Sequence, residues 1–374
     1  MIYLDNAATT MVCQQAAQSS YDTMTESFGN PSSTHKPGRQ AKALLSKARA
    51  QLASAMKSEP EEIYFTSGGT ESNNWALRSG MYLNRRTGRH IISSEAEHDS
   101  VIQTLNYLES TGCSITWLKP DSTGAVSAGQ VKDALRPDTA LVSLMAVNNE
   151  TGAVTDIAAV ADAIHGTDSK ALLHTDAVQA FIKTPLNAES SGADLISVSG
   201  HKLHAPKGAG ALYVKNGVKL PPFLFGGGQE NEKRSGTEGL SQITAFGTAA
   251  ELAFRSCDTD NKRMLELKQM LIESLNIPGI SVIKSDAPHI LCVSLPGYRA
   301  EVIMNYLDSL DIYVSRGSAC KKGRRSHVLK SIGLPANVID GSIRVSLSRY
   351  TTQNEISAFS RALKSAKDNI LPAL

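Results

Sequence analysis

One lysine and four short polar runs carry the residue types in this chain that could do covalent chemistry. Lys202 follows a short apolar, β-branched run, Ala193-Asp194-Leu195-Ile196-Ser197-Val198, through Ser199-Gly200-His201. Pro206-Lys207-Gly208 then closes the loop before a second apolar run over 209–214. A lysine on a tight glycine-containing turn beside hydroxyls and a histidine gives up its proton readily, as a Schiff-base lysine must; a solvated loop lysine is the plainer alternative. Ser67-Gly68-Gly69-Thr70-Glu71-Ser72 offers two glycines that bare backbone N–H groups just before a helix. Gly69 and Thr70 there could cradle a phosphate, or form an ordinary glycine turn with a threonine cap. Asp176 and Gln179 follow Ala171-Leu172-Leu173-His174. An acid at that point could keep a pyridinium nitrogen protonated or cap the next helix. Asn149, in Asn148-Asn149-Glu150-Thr151-Gly152, could hydrogen-bond a ring oxygen, and His98, in Glu95-Ala96-Glu97-His98, could stack on a flat ring, shuttle protons, or serve structure alone.

The elements that must position these residues can be read from periodicity. From about residue 39 to 255 helices and strands alternate. Helices are expected over 39–57, 70–79 and 100–109, and strands over 63–66, 90–92, 140–147 and 171–174, the last two each followed by a helix. Such alternation favours a mostly parallel sheet covered by helices on both faces. Ligands of such sheets sit at the carboxyl ends of the strands, where every one of the polar runs falls. Phosphate cradle, acid, stacking histidine and lysine at successive strand ends together describe a pocket for pyridoxal phosphate. The last third changes character, with helices expected over 265–275 and 301–309 and strands over 290–295 and 342–347. Thr352 and Glu355 form a capping box that opens the final helix. The expected organisation is a large cofactor-binding domain over 13–257, with a smaller α+β domain from 1–12 and 258–374.

Composition removes several classes of function. The chain has 374 residues, of which 41% are hydrophobic and 20% charged, and a net charge of +2. That is ordinary for a globular protein and gives the whole molecule no electrostatic case for binding nucleic acid or an anionic membrane. No apolar run approaches the roughly 18 residues a membrane span needs. Met1-Ile2-Tyr3-Leu4-Asp5-Asn6 lacks both a basic and an apolar signal region, which argues against secretion. Five scattered cysteines, Cys13, Cys113, Cys257, Cys292 and Cys320, include no C-x-x-C pair. No disulfide framework or structural zinc site is therefore expected, and a reducing cytoplasm is.

A second reactive centre lies in Ser315-Arg316-Gly317-Ser318-Ala319-Cys320-Lys321-Lys322-Gly323-Arg324-Arg325. A cysteine among small residues and glycines would be exposed and mobile, and the cations Lys321, Lys322, Arg324 and Arg325 would stabilise its thiolate. The alternatives are an incidental small residue and a basic loop that is merely solvated or binds an anion. Arg344, in Ser342-Ile343-Arg344-Val345-Ser346, lies inside an apolar strand and needs an anion; a substrate carboxylate or a structural acid would serve.

These residues in this order resemble the cysteine desulfurase family of the class V aminotransferase fold, nearly end to end. The resemblance runs through Tyr3-Leu4-Asp5-Asn6-Ala7-Ala8-Thr9-Thr10, Phe28-Gly29-Asn30-Pro31-Ser32-Ser33, Thr66-Ser67-Gly68-Gly69-Thr70-Glu71-Ser72 and Val147-Asn148-Asn149-Glu150. It continues in His174-Thr175-Asp176-Ala177-Val178-Gln179, Ser199-Gly200-His201-Lys202, Gly226-Gly227-Gly228-Gln229-Glu230, Arg234-Ser235-Gly236-Thr237 and Gly317-Ser318-Ala319-Cys320. It implies an aspartate-aminotransferase-like, pyridoxal-phosphate-dependent α/β enzyme. Such an enzyme converts L-cysteine to L-alanine and leaves the sulfur on Cys320 as a persulfide, for iron–sulfur cluster assembly or tRNA thiolation. By the same resemblance Lys202 carries the cofactor, Asp176 holds its ring nitrogen and His98 stacks on the ring. Gln179 and Asn149 face the ring oxygen and the substrate; Gly69, Thr70, Ser199 and His201 bind the phosphate. Arg344 takes the substrate carboxylate. In the homodimer that the family implies, Thr237 reaches the cofactor phosphate of the neighbouring subunit.

A sulfur-acceptor or scaffold protein is an implied partner, and Cys320 is a possible iron–sulfur ligand with no other metal site expected. The segment after Cys320 departs from the family pattern in being shorter and strongly cationic. Two other readings accompany the main one. A selenocysteine lyase would barely need Cys320, and a non-catalytic protein would use the basic 321–325 loop on RNA or an acidic partner.

Overall fold

The computed structural model describes residues 1–317 and 325–372. A seven-stranded sheet forms its centre, with the spatial order Ile63–Thr66, Gly210–Val214, Leu195–Ser199, Leu172–Asp176, Thr139–Met145, His90–Ser94, Ser114–Leu118. Gly210–Val214 pairs antiparallel with both neighbours, and every other pairing in the sheet is parallel. The mostly parallel α/β architecture read from the sequence is therefore the one found. Strands such as Thr139–Met145 and Leu195–Ser199 are buried along their whole length, because helices cover both faces. Nothing in their apolar pattern marks an outer face.

The expected helices appear with shifted ends. The first of them runs Lys36–Met56, with Pro37 in its opening turn and Lys57 ending it in the left-handed conformation. The helix expected over 265–275 starts earlier, and Cys257–Ser274 is one continuous element. One expectation fails. No long helix follows Leu172–Asp176; the chain makes successive turns and then only the four-residue helix Ala188–Ser191. Asp176 closes a local turn by accepting from the Val178 N–H at 2.9 Å, and Pro185 denies any helix there an amide donor. The edge strand Ser114–Leu118 and the helices Gln14–Thr25 and Leu240–Arg255 had no counterpart in the sequence reading.

A second, three-stranded antiparallel sheet has the order Ser342–Ser346, Ile290–Ser294, Ser281–Ile283. The short strand Ile2–Tyr3 pairs in parallel with Ile312–Tyr313, which brings the first residues of the chain beside residues more than three hundred positions later. Leu4 lies in the same buried cluster as Leu271, Val345 and Phe359, while Ala7 belongs to the larger cluster around the seven-stranded sheet. The N-terminal segment thus crosses from one core to the other. The final helix, Gln353–Asn369, opens on the expected Thr352–Glu355 capping box. Among the described residues no helix is long and apolar enough to cross a membrane.

Candidate active site

Parallel strands that run in one direction deliver their carboxyl ends to one edge of the sheet, and here that edge is the floor of a cleft of about 1010 Å³. Gly69, Thr70, His98, Asn149, Asp176, Gln179, Ser199, His201, Lys202 and Arg344 all line it. Ten positions spread over 69–344 are therefore gathered into one site. Thr237 is exposed and lies outside this cleft. Cys320, together with Lys321, Lys322 and Arg324, lies outside the described residues.

The buried strand Leu195–Ser199 ends in the tight turn Gly200–Lys202, which projects the lysine into the cleft. Its Nζ donates to the Ala7 and Ala8 carbonyls at 2.7 and 2.6 Å, both from the N-terminal segment. Burial, with the nearby Arg344 charge second, lowers this amine to about 8. A sizeable neutral fraction is thus available near physiological pH. His201 beside it bonds Thr9 Oγ1 through Nδ1 at 3.1 Å, and burial followed by the Lys202 charge lowers its imidazole to about 3. It is a neutral hydrogen-bonding group.

Asp176 and His98 are joined by a chain of polar contacts. Asn73 Nδ2 donates to Asp176 Oδ2 at 2.7 Å and to Ser100 Oγ at 2.9 Å. Ser100 Oγ in turn lies 2.8 Å from His98 Nδ1. His98 Nδ1 also accepts from the Ser100 N–H at 3.1 Å and caps the helix Asp99–Ser110, so the ring hydrogen sits on Nε2. The structural alternative is present at His98, which caps a helix, while Asp176 closes a turn in place of the helix cap expected of it; each is fixed in orientation by that contact. Gln179 spans the cleft wall, donating to the Ala7 carbonyl at 2.9 Å and meeting His289 Nε2 with its Oε1 at 3.4 Å.

At the opposite wall Arg344 is 3% exposed. It donates to the Asn149 carbonyl at 2.7 Å, to Asp5 Oδ1 at 2.9 Å and to Ser315 Oγ at 2.9 Å, while its Nε has no partner. The structural acid weighed against a substrate carboxylate is therefore present in Asp5, and a donor remains free beside it.

The helix Gly69–Leu83 begins directly against the lysine turn. A Cβ on Gly69 would meet Val178 Cγ2 at 2.6 Å, and one on Gly210 would meet the Gly68 backbone at 2.6 Å. Glycine at these two positions lets the helix N-terminus sit on the sheet edge with its amides facing the cleft.

Several functional residues escaped the sequence reading. Asn73 and Ser100 lock the acid to the imidazole, and Asp5 with Ser315 orients Arg344. Glu97 is 1% exposed at the cleft wall; it accepts from the Met145 N–H at 2.8 Å, and burial holds its carboxyl well above the usual range. Asn73 had one legible signal, a polar residue one helical turn beyond Gly69 on the same face. The others had none.

One electrostatic expectation is corrected. Arg325 is one of the cations expected to stabilise the Cys320 thiolate, yet it forms a two-pronged pair with Asp340 at 2.7 and 2.7 Å, and Arg316 pairs with Glu301. Carboxylates satisfy both, which lessens the positive field they could lend a thiolate and the case for a basic surface reading RNA.

The chain matches the family Aminotransferase class-V over residues 2–359 and belongs to it. Within that family it is 42% identical over 363 residues to "Cysteine desulfurase 2" of Trichormus variabilis, covering 95% of this chain and 90% of the relative. It is 39% identical over 361 residues to "Cysteine desulfurase IscS" of Methanosarcina thermophila, covering 95% and 89%. Its backbone superposes on a solved structure titled "NIFS-LIKE PROTEIN" with a TM-score of 0.92 at 34% identity, over 98% of both chains.

Proposed function

We propose that this chain is a pyridoxal-phosphate-dependent cysteine desulfurase, converting L-cysteine to L-alanine and passing the sulfur to Cys320 as a persulfide for iron–sulfur cluster assembly or tRNA thiolation. One observation carries the reading: Lys202, Asp176, His98 and Arg344 converge on a single cleft in a chain similar to cysteine desulfurases along nearly its whole length. The donor set also fits the cofactor. It combines a lysine that pairs with no carboxylate among the described residues, an acid held rigid by two hydrogen bonds, an imidazole fixed in orientation, and a helix N-terminus laid bare by glycine.

When bound, pyridoxal phosphate supplies an electron sink that acidifies the substrate α-carbon and allows the C–S bond to open. Lys202 holds the cofactor through its amine and, once substrate displaces it, takes the α-proton. An amine lowered to about 8 is matched to that exchange of roles. Asp176 faces the ring nitrogen, His98 the ring, and Gln179 and Asn149 the ring oxygen and substrate. Gly69, Thr70, Ser199 and His201 receive the phosphate. Arg344 takes the α-carboxylate of the substrate at the cleft wall, orienting the α-carbon toward the lysine. The Cys320 thiolate attacks the substrate sulfur. A sulfur–sulfur bond forms as the carbon–sulfur bond breaks, the bonding pair stays with carbon, and protonation there yields alanine.

Residues 13–257 form the cofactor domain in this proposal, and 1–12 with 258–374 the smaller one. The chain works as a homodimer in which Thr237 serves the partner subunit's cofactor. Its exposure outside its own cleft supports that reading, as do Phe28 and Phe225, 75% and 88% exposed. A sulfur-acceptor or scaffold protein completes the pathway. The test is mass spectrometry of the loaded enzyme after incubation with L-cysteine. One added sulfur on the Cys320 peptide is expected, and full turnover by Cys320→Ser would overturn the persulfide role.

A further inference from the structure

Ser346 is fully buried, two positions beyond Arg344 on the strand Ser342–Ser346 and therefore on the same face. The N-terminal segment runs alongside this strand, with Asp5 bridged in parallel to Ser346. Arg344 reaches Asp5 of that segment, and Ser346 reaches Ala7. The Ser346 hydroxyl accepts from the Ala7 N–H at 2.8 Å and donates to the Leu4 carbonyl at 3.2 Å. Its backbone adds two further ties: the N–H donates to the Leu4 carbonyl at 2.7 Å, and the carbonyl accepts from Asn6 Nδ2 at 2.9 Å.

Ala7 is where these ties meet the lysine of the cleft. Its carbonyl accepts from Lys202 Nζ at 2.7 Å and from Gln179 Nε2 at 2.9 Å, which uses both oxygen lone pairs. The Ala8 carbonyl accepts from the same Nζ at 2.6 Å. A neutral amine with both N–H groups on these two carbonyls keeps its lone pair on the one corner not tied to the segment, as a nucleophile or base requires. A protonated amine places two of its three donors on the same pair of oxygens. Acceptors favour the charged form, so the carbonyls work against the burial that, with the Arg344 charge second, lowers Lys202 to about 8.

We propose that Ser346 is a positioning residue for Lys202: acting through Ala7, it fixes the two carbonyls that receive the lysine amine whenever that amine is not joined to the cofactor. The inference rests on the reading of Lys202 as the cofactor lysine. One strand then serves both walls of the cleft, through Arg344 directly and through Ser346 by way of the N-terminal segment. The charged and titratable groups facing the amine are Arg344, Asp5, Asp176, Lys183 and the neutral His201. A change at Ser346 leaves each of them in the chain, and Asp5 keeps its own bonds to Arg344 and Ser315. A shift in the Lys202 titration therefore reports the carbonyl contacts.

The test uses the full chain, first free of cofactor and then loaded. Acetylation of Lys202 in the cofactor-free protein, followed from about pH 6 to 10 by mass spectrometry of its peptide, should titrate about half a pH unit lower in Ser346→Ala than in wild type. Ser346→Cys keeps the shape, weakens the hydrogen bond and should shift the same way by less. In the loaded enzyme the acid limb of kcat for L-cysteine should move down with it, while KM stays within about twofold. A Lys202 titration that coincides with wild type in a folded variant, or moves upward, would overturn the role. Absence of turnover by wild type would instead remove the desulfurase reading and leave the acetylation profile to decide Ser346.

Discussion

Asp176, His98 and Lys202 reach the cleft from strands of one sheet, whereas Arg344 reaches it from another sheet altogether. The first three follow Leu172–Asp176, His90–Ser94 and Leu195–Ser199, and the carboxyl end of each strand places its polar run at the floor. Arg344 lies in Ser342–Ser346, and its partners Asp5 and Asn149 are 339 and 195 residues away. The Lys202 side, proposed for the cofactor, is thus organised by strand direction, and the Arg344 side, proposed for the substrate, by a long-range closure through the N-terminal segment. That segment serves both sides. Asp5 engages Arg344 while Ala7 and Ala8 engage Lys202. In the proposed function, covalent chemistry is placed on the stiff sheet, and carboxylate recognition on a junction between two cores.

The sharpest way to break this contrast is at the lysine. Lys202→Ala removes both the covalent hold and the base, and kcat should fall by at least about 10⁴-fold. Borohydride reduction should fix the cofactor on the Lys202 peptide of wild type and on no peptide of the variant. On the other wall the expected loss is smaller and falls on binding. Arg344→Lys keeps the charge and loses the planar fork, so kcat/KM should drop roughly 10- to 100-fold, chiefly through KM. A loss confined to kcat would remove Arg344 from carboxylate recognition.

The rigidity of the sheet side can be read in its acid response. His174 is fully buried between Ser143 and Ser197, and burial lowers it to about 3. Its folded pKa lies below its unfolded one, so between them the unfolded chain binds more protons. The stability this provides is complete above about pH 6.5 and is lost as pH falls. Glu97 and Glu150, raised by burial, give the opposite slope in the same range, so wild type reports only the difference. His174→Gln isolates one group. The slope of unfolding free energy against pH, well inside the window between about pH 4 and 6.5, should become less positive by about 1.4 kcal/mol per pH unit; an unchanged slope would mean that His174 is charged in the fold.

The mildest change sharpens the comparison at the shared strap. Asp5→Asn keeps a hydrogen-bond acceptor for Arg344 and removes the charge of a partly exposed pair. We expect KM for L-cysteine to change by about three- to tenfold with kcat within about twofold. Equal effects on both parameters would tie the strap to the lysine as much as to the arginine.

Reading the chain in order recovers the cofactor side well. Strand ends at Thr66, Ser94, Asp176 and Ser199 are marked by apolar β-branched runs that stop at glycine, acid or histidine, and the polar residues that follow are local to each end. Asp5, Asn73, Ser100 and Glu97 were not recovered, because their roles depend on partners far along the chain. The missing helix after Asp176 was misread for a related reason, since an aspartate that could start a helix closed a turn instead.

What the amino-acid order determined by itself is the alternation of strands and helices, and with it the edge at which Lys202, Asp176 and His98 must emerge. Strand direction and side-chain period are local properties of the backbone. What only the tertiary structure decided is which distant groups meet there: Asp5 on Arg344, Asn73 between acid and imidazole, and the Ala7 and Ala8 carbonyls on the lysine. Those contacts follow from packing one core against another, and no local pattern encodes them.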